Sequence, residues 1–181
     1  MLEKLRTSPS KKKLTLITLV TLVIFITLTI IFRFYEAALK ESGFGIVEFE
    51  FAFTQSTATA ILSAWGVSLI PVALQSVYLD FIYIAAYSIG LFGITIFIIR
   101  ALQERWHNFG IIFAITPLIA GAFDIIENIN LITMLNDVKD YPSFAPPIAS
   151  ICAFIKFGFL LVSIGFVLIA GIIVLIQKRR S

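Results

Sequence analysis

Four long stretches of this chain are too apolar to be left in water, and a membrane bundle is the fold that solvates them. Leu14–Phe32 is nineteen residues without a charge. As a helix it is about 28 Å long at about 1.5 Å per residue, close to the thickness of a hydrocarbon core. The runs 71–100, 109–135 and 147–176 repeat the pattern with few polar interruptions. Backbone groups in hydrocarbon must be bonded within the segment, so each run reads as a helix. Composition agrees, with 59% of 181 residues apolar and 14% charged, against about 45–50% and about 25% in soluble domains. The expectation is an all-α, four-helix transmembrane bundle, up-down-up-down, in one domain. Its spans cover 14–36, 71–100, 109–135 and 147–176, with basic tails at 1–13 and 178–181.

The first run reads as a retained span. Its apolar core exceeds the about 7–15 residues of a signal peptide, and the sequence from Arg33 to Ala38 offers no small-x-small cleavage site. Ten of the fourteen basic residues fall at one set of helix ends: Lys4, Arg6, Lys11, Lys12, Lys13, Arg100, Arg105, Lys178, Arg179 and Arg180. That bias predicts a cell-membrane protein with both termini cytoplasmic, and it explains the basic tails without nucleic acid. Gly90 and Gly93 predict close helix contact in span two. Pro146 and Pro147 suit the first turn of span four. Cys152 is the single cysteine and His107 the single histidine, so neither a disulfide nor a His- or Cys-based metal cluster is expected. His107 reads as a solvated loop residue. No cofactor is implied.

The longest connection, 37–70, holds two signals. Val47, Phe49, Phe51 and Phe53 alternate with Glu48 and Glu50, which is strand periodicity. Ala58 to Trp65, closed by Gly66, suits a short interfacial helix with Trp65 as its anchor. Glu48, Glu50 and Trp65 are the loop residues that could contribute to a site.

Charges inside the spans are the second constraint, because an ionisable group in hydrocarbon must be paired, at a water boundary, or functional. Arg33 lies 20 residues from Lys13, Asp80 20 from Arg100, Asp124 and Glu127 16 and 19 from Asn108, and Lys156 22 from Lys178. These separations are about 24–33 Å of helix, so four helices place charge at one level, near the end away from the termini. Ser76, Asp80, Tyr83 and Tyr87 form one stripe of span two; Gly121, Asp124 and Asn128 form the matching stripe of span three, with Glu127 beside it. Aspartate is too short to snorkel, so Asp80 and Asp124 should face the interior, whereas Arg33 and Lys156 can pair with them or bend outward.

Several chemistries fit such a layer. It can be a register-fixing ion-pair layer, a pocket for a polar ligand open to the outer leaflet, or a proton or cation path. Two intramembrane aspartates also suggest an aspartyl intramembrane protease, but Val77–Asp80 lacks the Tyr-Asp pair and Gly121–Asp124 lacks the second glycine of that pattern. A divalent cation on Asp80, Asp124 and Glu127 is chemically reasonable, although the lipid transferases that do this carry more carboxylates.

Four segments, Val47–Phe53, Ile61–Gly66, Leu79–Tyr83 and Gly121–Asn128, span most of the chain between residues 45 and 130. Together they resemble a family of small four-span prokaryotic integral membrane proteins of unassigned activity. The resemblance implies that the acidic layer and the loop before span two act together; it brings no substrate. The functional expectation is a non-enzymatic accessory or stabilising subunit of a larger membrane complex, in contact with lipid. The alternative is a small enzyme or ligand-binding protein with an acidic outer-leaflet pocket.

Overall fold

The computed structural model describes the backbone of residues 5, 7–102 and 104–180 and, outside 104–109 and 180, their side chains. Lys4 and Arg6, and the side chains of Arg105, His107 and Arg180, lie outside the described residues. Five helices follow in order: α1 (Lys11–Lys40), α2 (Ile46–Glu50), α3 (Gln55–Ala101), α4 (Glu104–Asn136) and α5 (Ala145–Arg180). All but α2 are long and apolar enough to cross a membrane. The chain is an all-α, multi-pass membrane protein. Its spans pack in sequence, α1 on α3, α3 on α4 and α4 on α5, as short connections between antiparallel helices dictate.

Helix starts follow local chemistry. Ser10 accepts a hydrogen bond from Lys13 N–H and Thr54 one from Thr57 N–H, each satisfying a donor that the first turn leaves free. Pro146 and Pro147 stand in the first turn of α5, where a missing N–H is harmless. Near the termini, the Arg100 guanidinium donates to the carbonyls of Leu5 and Pro9. The segment before α1 is thereby tied to the end of α3.

Close approach is set by small residues. Gly90 and Gly93 of α3 face Thr21 and Thr18 of α1, and a Cβ at Gly93 would collide with the Thr18 hydroxyl. Gly121 of α4 likewise meets Ser88 and Ile84 of α3. These contacts bring backbones together where lipid supplies no hydrophobic drive between helices.

The end of the bundle away from the termini is closed by a packed cap, and here the structure corrects three expectations. Residues 46–50 are a short helix, not a strand. Glu48 accepts from Gly45 N–H at 2.9 Å and Glu36 accepts from Ile46 N–H at 2.9 Å, so side chains rather than a strand partner satisfy this backbone. The helix that carries the second span starts before Pro71. Helix α3 starts at Gln55 and passes through a kink at Gly66, whose φ of 57° is open to glycine at little cost. Trp65 is not an interfacial anchor. It is 1% exposed, packs edge-on against Phe49, and donates its indole N–H to Phe44 O at 2.8 Å. Limb 55–65, α2, the far ends of α1 and α4 and the α4–α5 connection share a core that includes Leu39, Phe49, Ile61, Trp65, Leu131 and Tyr141. Thr59, Tyr141 and the Gln55 carbonyl are joined by hydrogen bonds of 2.7 and 3.0 Å.

Candidate functional site

Beneath the cap, polar side chains from α2, α3, α4 and α5 meet around one ammonium. Lys156 of α5 is 5% exposed. Its Nζ lies 2.9 Å from Asp124 Oδ1, 2.9 Å from Glu127 Oε1 and 3.5 Å from Glu50 Oε2. Asp124 also accepts from the Tyr87 hydroxyl at 2.8 Å, and Asp80 accepts from the Asn128 amide at 2.8 Å. Asp124, Glu127 and Asn128 are all buried, at 3%, 0% and 2% exposure; Asp80 is half-buried.

Helical spacing explains the convergence. Asp124 and Asn128 are four residues apart on α4 and so share a face; Glu127 projects beside them toward α5. The Gly121 contact brings the α3 stripe, with Tyr87 and Asp80, against that face. Glu50 arrives from the cap. Ser150 of α5 donates to the Glu50 carbonyl at 2.7 Å and accepts from Phe53 N–H at 2.9 Å, which pins the end of α2 over Lys156. In a helix, residues two apart point in nearly opposite directions. That is why Glu50 reaches the ammonium while exposed Glu48 turns back to cap Gly45.

Arg33 is exposed and makes no ion pair with any described carboxylate. It stands at the rim, one helical turn from Glu36, which binds Lys40 at 3.3 Å. Of the residues expected at a site, Asp80, Tyr83, Tyr87, Asp124, Glu127, Asn128, Lys156 and Glu50 come together. Glu48 and Trp65 serve the cap instead. Thr29, Ser150 and Glu36 escaped sequence reasoning, because hydroxyls and helix-end carboxylates carry no signal of their own.

Charge is out of balance. One ammonium stands among four carboxyl groups and pairs with three of them; Oε2 of Glu127 is buried without a hydrogen-bond donor, and Oε2 of Glu50 has only the 3.5 Å contact with the ammonium. Uncompensated charge in such surroundings costs several kcal/mol per ion, on the order of the pairing energy itself. Protons or an added cation must make up the difference. At Glu50, which lies outside the spans, burial pushes the carboxyl above its usual range; the Lys156 ammonium opposes this and the Asp124 carboxylate adds to it. Among the described residues no three His, Cys, Asp or Glu side chains converge as a metal-binding set; the Lys156 ammonium occupies the centre where an ion would sit.

The cluster faces a cavity of about 990 Å³ between α1, α3 and α5, at the upper end of the roughly 300–1,000 Å³ of small-molecule sites. Asp80, Asp124, Glu50 and Lys156 form its polar head, and Tyr83 and Tyr87 line the wall beside them. Below, toward the termini, the wall is apolar, with Leu22, Leu91, Ile94, Leu160 and Ile164. Helices α1 and α5 flank this space and α3 forms its floor. The arrangement accommodates a molecule that is polar at one end and apolar along the rest. No family model, curated protein or solved structure matches the chain.

Proposed function

We propose that this protein binds a lipid-like amphiphile between its first and last spans, with the ligand's polar end on the Lys156 cluster and its chain along the apolar wall. The observation that carries this reading is the cavity's polarity: charged side chains at one end only, and a large volume continuous with them. A register-fixing ion-pair layer accounts for Lys156, Asp124 and Glu127 but needs no such volume. The accessory-subunit reading rests on the exposed apolar faces of α1 and α5, which lipid covers equally well.

In this reading the basic residues at the terminal end keep both termini in the cytoplasm of a cell-membrane protein. The polar head of the cavity then lies at the outer leaflet, within reach of a ligand entering sideways between α1 and α5. The test is ligand occupancy. Native mass spectrometry of protein extracted in mild detergent should find one amphiphile per chain in the wild type and none in Ile94→Trp, which fills the apolar wall. Equal occupancy in the two proteins, or none in the wild type, overturns the proposal.

A further inference from the structure

The head of the cavity is short of positive charge, and one of its carboxyl groups stands outside the ion-pair cluster. Lys156 is fully engaged by Asp124, Glu127 and Glu50. Asp80 is left with a single neutral donor, the Asn128 amide, and with no ion pair to any described residue. It lines the cavity directly. The other cations on the wall, Arg33 and Lys40, are exposed at the rim, and Lys40 is paired with Glu36.

Aromatic rings line the same cavity. Tyr83, one turn along α3 from Asp80, stacks on Phe25 at 4.9 Å between centroids and meets Phe32 edge-on at 5.2 Å and Tyr87 at 5.8 Å. All four rings line the cavity. Ring faces attract cations electrostatically, and the attraction grows when water is excluded. A carboxylate without a counter-ion beside an aromatic wall is the chemistry that recognises an ammonium group.

We infer that the amphiphile is a long-chain amine, bound with its ammonium on Asp80 beside the aromatic wall of Tyr83, Phe25 and Phe32. This rests on the cavity reading above and adds the ligand's charge to it. The ammonium supplies the missing positive charge and the missing donors at once, which neither an anionic nor a neutral head does. The chain then runs from the level of Asp80 to that of Ile94, fourteen residues of α3, or about 21 Å.

The experiment titrates dodecylamine, dodecanol and dodecanoate into the full chain, held in a bulky sterol-based detergent at neutral pH, and follows binding by calorimetry. Dodecylamine should bind the wild type at least tenfold more tightly than either matched probe, about 1.4 kcal/mol. Asp80→Asn, which keeps an acceptor for Asn128, should bring the three probes within about twofold while the melting temperature holds. Should that variant not fold, Tyr83→Leu carries the same expectation through the aromatic wall. Equal binding of the three probes by the wild type, lost together in Ile94→Trp, overturns the ammonium assignment and leaves the cavity reading standing. Full amine preference in a folded Asp80→Asn or Tyr83→Leu protein also overturns it. No binding of any probe to the wild type removes both.

Discussion

Replacing Lys156 by Met removes one ammonium and leaves three carboxyl groups facing one another at largely buried positions. The side chain is 5% exposed and holds Asp124 and Glu127 at 2.9 Å each and Glu50 at 3.5 Å. Methionine fills nearly the same volume, so the packing term is small and the change is electrostatic. Removing one partner of a buried ion pair costs about 3–5 kcal/mol, because the charge left behind has neither water nor a counter-ion. For a chain of this length that corresponds to a fall in melting temperature of roughly 6–20 °C. The assay is thermal unfolding in mild detergent, followed by far-ultraviolet circular dichroism. Two controls isolate the cause. The loss should shrink at acid pH, since neutral carboxyls need no cation. Adding Asp124→Asn and Glu127→Gln to Lys156→Met should recover most of the stability, as neutral replacements of whole buried ion clusters often do. A Lys156→Met protein as stable as the wild type at neutral pH would refute the reasoning, as would a triple variant less stable than the single one.

Three further outcomes are expected. Burial raises the Glu50 carboxyl above its ordinary value of 4.5, so the folded state holds this proton more tightly than the unfolded one. Its contribution to stability is therefore full below about pH 4.5 and declines as pH rises toward the folded value; Glu50→Gln should flatten that part of the stability–pH curve. Gly93→Leu should force α1 off α3 at the Thr18 contact and cost about 1–3 kcal/mol, read as lower thermal stability, whereas the same change at Gly158, which has open space around it, should be tolerated. Trp65→Ala should lose about 3–5 kcal/mol and expose the 55–65 limb to proteolysis; protection equal to the wild type would place Trp65 outside the cap core.

The membrane bundle was legible because the bilayer imposes one coarse rule on every span: about twenty apolar residues with all backbone groups bonded internally. The shared level of Asp80, Asp124, Glu127 and Lys156 was legible for a related reason, since helical rise converts sequence separation into depth. Depth says nothing about azimuth across helices, however. Lys156 and Arg33 carry the same charge at the same level, yet one is the buried hub of the cluster and the other points out at the rim. The difference arises from α5 packing on α4 beside Asp124 while α1 stands apart across the cavity. The reading of 45–53 as a strand failed because alternation of phenylalanine and glutamate is only five residues deep within the observed helix. Over so short a run, caps from Glu48 and Glu36 outweigh periodicity. Trp65 was ambiguous in principle: the amphipathic ring that anchors a helix at the interface also suits a core position with a carbonyl in reach. An acidic pocket open to the outer leaflet was among the expectations, but the apolar depth of the cavity left no trace in the sequence, being space between helices whose lining residues look like ordinary lipid-facing ones.

A crystal structure of the full chain grown from a lipidic mesophase containing dodecylamine tests the central claim most directly. The account predicts elongated density between α1 and α5, its head within hydrogen-bonding distance of Asp80 and its tail running down the apolar wall past Leu91 toward Ile94. Helix α1 closed against α5 with no space between them, or density confined to the outer surface of the bundle, would contradict it.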